Sequence, residues 1–323
     1  MKKPNSFSFP AERPPIFSNV LVIINPTSGT AGRRKKLRTI LQHLQTAAGR
    51  LEIVYTACAL DATRVAKEKR KEGFSLIICA GGDGTINEVI NGLLGEADRE
   101  GEKEIVPPLA ILPTGTGNGL AREIGIPLDP VAAYRAILTG TPRPIYPGRV
   151  EPLSAESGRT EPDGIKFFPR YFILFVGAGF DGFVIDAIDR RRGIFRRLPK
   201  LSIYFLFGFA SLFSYPYPTL HFSVDGTSYR GSTGMITKAK LILGPWTVAP
   251  RADIGRPALT LCLIKATGVL GYVKTLISFL LFGKSAKRIE YIDGKEMKVF
   301  GTNAFLHADG ESLGTVPARI AVS

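Results

Sequence analysis

Short, unbroken apolar runs alternate with amphipathic stretches through the first part of the chain. The run Val20 to Asn25 (VLVIIN) ends in the turn-forming residues Pro26, Thr27, Ser28 and Gly29, and apolar positions then recur at helical spacing from Lys35 to Ala47. The same order of strand, loop and helix returns at Leu51 to Thr56 with Asp61 to Lys71, and at Ser75 to Ala80 with a helix opening near Thr85. A fourth run, Leu109 to Pro113, leads through a glycine-rich turn into a helix over Gly119 to Ile124. Such alternation predicts an α/β domain, an open parallel sheet flanked by helices, with the loops after the strands gathered at one ligand-binding edge.

From about Pro142 the pattern changes. Short strands separated by Gly and Pro, at Tyr171 to Val176, Thr219 to Gly226, Ala239 to Gly244 and Ala258 to Ala266, predict a β-rich second domain. Two units also suit 323 residues, since domains run to roughly 100 to 200 residues. The expected division is a loose arm over 1–17, broken by Pro4, Pro10, Pro14 and Pro15, an α/β domain over 18–147, and a β-rich substrate domain over 148–323 whose last segment packs back toward the first. No window reaches the roughly 20 apolar residues of a membrane-spanning helix, because Leu276 to Phe282 is short and flanked by Lys274 and Lys284.

The formal net charge of +14 attracts polyanions: nucleic acid, nucleotide phosphates or an anionic membrane. Nucleic acid is not expected as a partner, since the sequence shows no recognition helix, no aromatic stacking motif and no zinc spacing. Arg190, Arg191, Arg192, Arg196, Arg197 and Lys200 precede the greasy run IYFLFGFASLF, which reads either as a membrane face or as a core helix behind a solvated basic loop. Cys58, Cys79 and Cys262 lie far apart in apolar surroundings and are expected as buried, reduced thiols in an intracellular protein. The localisation expected is cytoplasmic with peripheral membrane association.

The sharpest local signal is Gly81-Gly82-Asp83-Gly84-Thr85, between a buried strand and the helix that carries Asn87, Glu88 and Val89. Glycine lets backbone amides approach phosphate oxygens with no Cβ in the way, and a helix N-terminus adds partial positive charge. A carboxylate, Asp83, is out of place beside phosphates unless a divalent cation intervenes. Taken alone, the pentapeptide is also a tight strand-to-helix turn. Its company argues for chemistry: Asn25, Thr27, Ser28 and Gly29 close the first strand, and Thr114, Gly115, Thr116, Gly117 and Asn118 close the fourth. Three small-residue loops at one sheet edge suit a nucleotide cleft.

The segments NPTSG (Asn25 to Gly29), GGDGTINEVINGL (Gly81 to Leu93) and LPTGTGNGLAREIGIP (Leu112 to Pro127) resemble the three motifs of the diacylglycerol kinase catalytic domain, shared by sphingosine, ceramide and bacterial lipid kinases. The likeness continues more weakly through YFILFVGAGFDG and HADGES. It implies a nucleotide-binding α/β domain with an open parallel sheet of the NAD kinase-like kind, joined to a C-terminal β-sandwich, with ATP and Mg²⁺ in the cleft. The activity implied is ATP-dependent phosphorylation of a hydroxyl on diacylglycerol or a sphingoid-type lipid. The resemblance further implies that Asn25, Ser28 and Gly29 contact phosphates with Thr27 beside them. Gly81, Gly82, Gly84 and Thr85 would cradle the nucleotide, with Glu88 on the same helix, while Thr114, Gly115, Thr116 and Asn118 flank it. Asp83 is then catalytic or metal-associated. Ala308-Asp309-Gly310-Glu311 resembles the family's acidic tripeptide, implying that Asp309 is the general base for the acceptor hydroxyl or shares that task with Asp83, and that Glu311 lies near nucleotide or metal. The metal ligands stay unassigned. Asp-Gly is also a hairpin-turn dipeptide, and Asp225-Gly226 and Asp293-Gly294 read as only that.

The chain departs from the family pattern in two places. Gly119 follows Asn118 where many bacterial members have Asp, and the stretch Ala249 to Pro257 lacks the usual Asp-Gly pair, which speaks against a second, structural metal site. Gly177, Gly179 and Gly182 spell G-x-G-x-x-G, but in the β-rich half and without a surrounding βαβ unit. A lipid-cleft turn is the better reading, with Asp181 as an acceptor contact. His43, His221 and His307 read as structural. A lipid substrate at an anionic membrane surface is the partner expected, and a homodimer is left open. The competing functions are an NAD kinase-like small-molecule kinase and a non-catalytic lipid-binding regulator of the same fold.

Overall fold

The computed structural model describes residues 17–95, 106–153, 169–191, 200–242, 246–282, 289–302 and 304–323. The expected arm before Phe17, and Arg192, Arg196 and Arg197 of the basic run, lie outside the described residues. The chain divides into two compact units: the first runs to Ala121 and resumes over Gly125–Pro142, and the second takes Arg122–Ile124 and Arg143–Ser323.

In the first unit the elements follow as β1 (Phe17–Ile24), α1 (Ala31–Ala47), β2 (Ala48–Tyr55), α2 (Asp61–Lys69), β3 (Leu76–Gly81), α3 (Asp83–Leu94), β4 (Leu109–Pro113), α4 (Gly119–Glu123) and α5 (Pro130–Thr139). The strands pair in the order β2-β1-β3-β4, all parallel. Val20 to Ile24 and all of β3 are buried, as the continuous apolar runs require. Helix α1 starts four residues before the predicted Lys35 because Thr30 caps it, its hydroxyl accepting the Arg33 N–H. Leu37, Ile40 and Leu44 of that helix pack with Val20, Val22, Ile78 and Leu112 into one core. Helix α5 was not foreseen, although its signals are local: Asp129 accepts the N–H groups of Val131 and Ala132, and Pro130 occupies the first turn.

The second unit contains β5 (Gly148–Pro152), β6 (Arg170–Phe172), β7 (Phe175–Ala178), α6 (Phe180–Asp189), α7 (Lys200–Ser214), β8 (Leu220–Val224), β9 (Thr227–Gly231) and β10 (Thr233–Thr237). There follow β11 (Leu241–Ile242), β12 (Trp246–Thr247), β13 (Leu259–Ile264), α8 (Gly268–Phe282), β14 (Ile289–Gly294), β15 (Glu296–Phe300), β16 (Phe305–Ala308), β17 (Glu311–Thr315) and β18 (Ala318–Val322). Two antiparallel six-stranded sheets, β14-β13-β10-β7-β16-β17 and β6-β5-β18-β15-β8-β9, enclose one core that includes Phe172, Val176, Phe222, Leu261, Met297, Leu306 and Ile320. The last strand, β18, lies between β5 and β15 within this unit.

Two expectations for this half need correction. The run Tyr171 to Val176 is not one strand but two, because the N–H groups of Ile173, Leu174 and Phe175 turn to the Asp309 carboxylate instead of continuing a ladder. Of the Ala239 to Gly244 run, the described part Ala239 to Ile242 supplies the two-residue β11, paired with β12. Cys79 and Cys262 are buried as expected, and burial pushes both thiols up to about 12, but Cys58 is exposed.

The segment that lacks the family's Asp-Gly pair is braced from inside. Lys238, fully buried at the end of β10, extends its ammonium to the carbonyls of Asp253 (3.4 Å), Ala258 (2.7 Å) and Arg256. Its three donors meet three main-chain acceptors, so a positive charge already occupies the point where these carbonyls converge.

Candidate active site

At the carboxyl edge of the parallel sheet the strands end level, Ile24 beside Ala80 and Gly81 beside Pro113. The Asn25 N–H donates to the Ala80 carbonyl and the Thr114 N–H to that of Gly81, each at 3.0 Å, so the three loops start side by side. Asn25 is their hub. Its Oδ1 accepts from the backbone N–H (3.0 Å) and hydroxyl (2.8 Å) of Thr27, while its Nδ2 donates to Thr85 Oγ1 (3.1 Å) in the first turn of α3. The Thr114 hydroxyl donates to Ser28 Oγ at 3.0 Å, joining the first and third loops. Gly29 holds φ at +82° directly against the Thr114 carbonyl, where a Cβ would collide. Arg33, which the sequence reading missed, donates to the carbonyls of Thr114 (3.2 Å) and Gly115.

Asp83 opens α3 and accepts the Leu120 N–H at 3.1 Å through Oδ1, linking the second loop to α4. Asn118 adopts a left-handed backbone, with φ at +51°, and is 1% exposed. Its Nδ2 donates to the Gly115 carbonyl (2.8 Å), but its Oδ1 is buried with no hydrogen-bond donor among the described residues. An unmet buried acceptor costs about 1–3 kcal/mol, so a ligand donor or a water belongs there. Gly84, in the first turn of α3, and Thr116, in the third loop, are exposed. Glu88 points elsewhere: its Oε2 accepts the Ala62 N–H at 3.2 Å and so caps α2.

The second unit holds the other predicted residues. Asp309 and Gly310 form the β16–β17 turn with φ at +49° and +85°, the pattern of a two-residue hairpin loop of type I′. The Asp309 carboxylate is more than a turn residue, since Oδ2 accepts from Ile173 N–H (2.8 Å) and Oδ1 from Leu174 (2.9 Å) and Phe175 (3.0 Å). Burial pushes this carboxyl above the usual range, against the opposing pull of the three amides. Glu311 is paired with Arg170 at 2.8 Å. Asp225-Gly226 makes the same kind of turn between β8 and β9, with φ at +46° and +88°, whereas Asp293 sits within a strand opposite Thr260 and accepts its hydroxyl at 2.7 Å.

Asp181 stands in the first turn of α6. Its Oδ1 accepts the Gly182 N–H at 3.0 Å and its Oδ2 lies 3.3 Å from His307 Nε2. The entry to α6 is held by Thr233, whose hydroxyl accepts the Phe180 N–H at 3.0 Å and meets that of Tyr272. Tyr215, just after α7, meets Phe180 edge-on with ring centres 5.5 Å apart, and Tyr272, on α8, meets it at a tilt with ring centres 5.2 Å apart. Both helices leave apolar side chains uncovered: Leu206, Phe209 and Phe213 on α7, and Leu270 and Ile277 on α8. The spacing within each helix places these residues on one stripe. Among the described residues no three His, Cys, Asp or Glu side chains gather into a metal cluster, and no helix is long and apolar enough to cross a membrane.

Comparison with known proteins bears directly on these loops. Residues 19–150 match the diacylglycerol kinase catalytic domain. The chain is 29% identical over 305 residues to the diacylglycerol kinase of Bacillus subtilis strain 168, covering 92% of this chain and 91% of the relative. It is 27% identical over 303 residues to that of Staphylococcus aureus strain bovine RF122 / ET3-1, covering 92% and 87%. The fold resembles a crystal structure of a diacylglycerol kinase from Bacillus anthracis with a TM-score of 0.70 and 25% identity, over 95% of this chain and 94% of that one. With the three small-residue loops at one sheet edge, these matches place residues 19–150 in the diacylglycerol kinase catalytic-domain family and make the protein a lipid kinase.

Proposed function

We propose that the protein transfers the γ-phosphoryl group of ATP to a hydroxyl of diacylglycerol or a sphingoid-type lipid presented by an anionic membrane. The observation that carries the nucleotide assignment is the buried Oδ1 of Asn118 beside the Gly82 and Gly115 backbones, an acceptor with no donor among the described residues that a ribose hydroxyl or the adenine amino group of ATP would meet. Asn25, Thr27, Ser28 and Gly29, with Gly82, Gly84 and Thr85, would receive the phosphates on backbone amides and small hydroxyls. Asp83 is the carboxylate among these loops that would hold Mg²⁺ together with the phosphates. The cation supplies charge neutralisation during transfer.

On the acceptor side, Asp309 would take the hydroxyl proton. Its raised carboxyl suits a base, which must accept a proton late in the step and release it afterwards. Asp181 would orient the acceptor, and Glu311 with Arg170 would complete the polar surround. The exposed stripes of α7 and α8 would rest on the bilayer, with Arg191 close by, its guanidinium 5.8 Å from the Phe207 ring centre. Transfer of ³²P from γ-labelled ATP with Mg²⁺ tests the reading, in mixed micelles of anionic lipid containing diacylglycerol, sphingosine, ceramide or NAD. Label on a lipid names the acceptor. Label on NAD alone, or on nothing in the panel, overturns the proposal.

A further inference from the structure

Histidine 307 belongs to none of the three family motifs, yet it is 1% exposed at the junction of three elements. On β16 it faces Gly177 of β7 across the ladder. The register of β16 against β17 shifts between Leu306 and His307, an irregularity of the kind that re-aims a side chain. The ring stands edge-on to Phe175 at 5.2 Å. Gly177 is what makes room: a Cβ there would overlap both the Asp181 carboxylate and His307 Nε2.

The hydrogen bonds define which ring nitrogen carries the proton. The Gly310 N–H lies 3.4 Å from Nδ1 and can only donate, so Nδ1 accepts. The ring proton then sits on Nε2 and points at Asp181 Oδ2, 3.3 Å away. One imidazole thus touches α6 through Asp181 and the Asp309–Gly310 turn through its backbone. The pair is also graded in exposure, the imidazole 2% and the Asp181 side chain 23% accessible. The carboxylate can therefore meet a ligand, and the imidazole can only act through the carboxylate. A purely structural pair would gain nothing from an accessible outer end. Buried groups that fix the orientation of an accessible functional group have this arrangement.

We propose that His307 is a positioning residue of the acceptor site: it fixes the Asp181 carboxylate relative to the Asp309–Gly310 turn, so that the polar head of the lipid meets Asp181 in one orientation. This rests on the lipid kinase reading for its substrate, but not for its geometry. Two substitutions separate the two ring nitrogens. Glutamine at 307 reaches the Nε2 position and can donate to Asp181, whereas asparagine reaches only the Nδ1 position.

Steady-state transfer is measured for the wild type, His307→Gln and His307→Asn, varying lipid and ATP separately. His307→Asn should raise the KM for lipid about tenfold or more, the loss expected for a hydrogen bond to a charged group, with the KM for ATP unchanged. His307→Gln should restore most of the lipid KM. Equal behaviour of the two variants, or parallel changes in the ATP and lipid constants, overturns the positioning role. Nitrogen-15 NMR of the three histidines provides a readout independent of turnover. The Nε2–H tautomer of His307 is expected, and an Nδ1–H form overturns the geometry. If the wild type phosphorylates no lipid, the functional reading fails on its own, and the NMR result still decides the network.

Discussion

The Asp225-Gly226 and Asp309-Gly310 hairpins have nearly the same backbone and use their aspartates in the same way. Asp225 accepts the N–H groups of Lys295 and Glu296, and Asp309 accepts those of Ile173, Leu174 and Phe175. Both carboxylates therefore tie a hairpin to a neighbouring strand connection. What differs is the setting: Asp225 is exposed, while the carboxyl of Asp309 is desolvated and its turn is contacted by His307. Turn chemistry explains why each residue is aspartate. If Asp309 is the base, its surroundings rather than its turn set it apart from a clasp.

Paired substitutions can break this comparison. Asp309→Asn should cost about 1–3 kcal/mol of stability, because its amide nitrogen would confront a buried backbone N–H group, whereas Asp225→Asn should cost less, since Oδ1 alone accepts both N–H groups at an exposed site. Transfer should fall by about 100-fold or more in Asp309→Asn alone, with ATP binding retained, as for removal of a general base. Equal, small losses of rate in the two variants would reduce Asp309 to a clasp like Asp225. A further test comes from the pH profile. Because the folded-state carboxyl is raised, the acid limb of the wild-type rate should lie above the ordinary aspartate range, and the rate should fall as pH drops through it. A limb at the usual value would count against Asp309 as the base.

Smaller effects sharpen the contrast between reactive and purely bracing groups. Lys238→Met leaves its carbonyl partners without a donor and should cost about 2 kcal/mol, read as a fall in Tm of roughly 4–8 °C, with the KM for ATP unaltered. An unchanged Tm would show that the brace is dispensable. Smallest in purified assays should be Phe209→Glu with Ile277→Glu, which places charge on the uncovered stripes of α7 and α8. Sedimentation with anionic vesicles should weaken while transfer to a short-chain acceptor in solution persists. Undiminished vesicle binding would remove these stripes from the membrane face.

The first unit was readable in sequence because its information is local. Strands β1, β3 and β4 are unbroken apolar runs, and each loop follows its strand directly, so residues Asn25 to Gly29 and Thr114 to Asn118 could be placed at one edge. Glu88 was assigned to the nucleotide from its position beside the glycine motif, yet its partner is the start of α2, a choice made by packing rather than by spacing. The second unit hides its organisation in distant pairs. Tyr171 to Val176 looks like one strand until an aspartate more than 130 positions later takes its amides. His307 looked ordinary because Asp181 is 126 residues away. Arg33 escaped notice for the same reason, its acceptor carbonyls lying on the third loop.

The lysine beneath the 249–258 stretch carries its charge on a covalent tether. An ion bound from solution has a dissociation constant and can be stripped by a chelator, whereas this amine stays at fixed stoichiometry for the life of the chain and, although burial lowers its pKa to about 8, is mostly charged at neutral pH. Chelation should therefore leave that loop in place and touch only steps that use a cation with the nucleotide. For this protein, a titration of divalent ions would then read out phosphate chemistry without a second curve from unfolding beneath it.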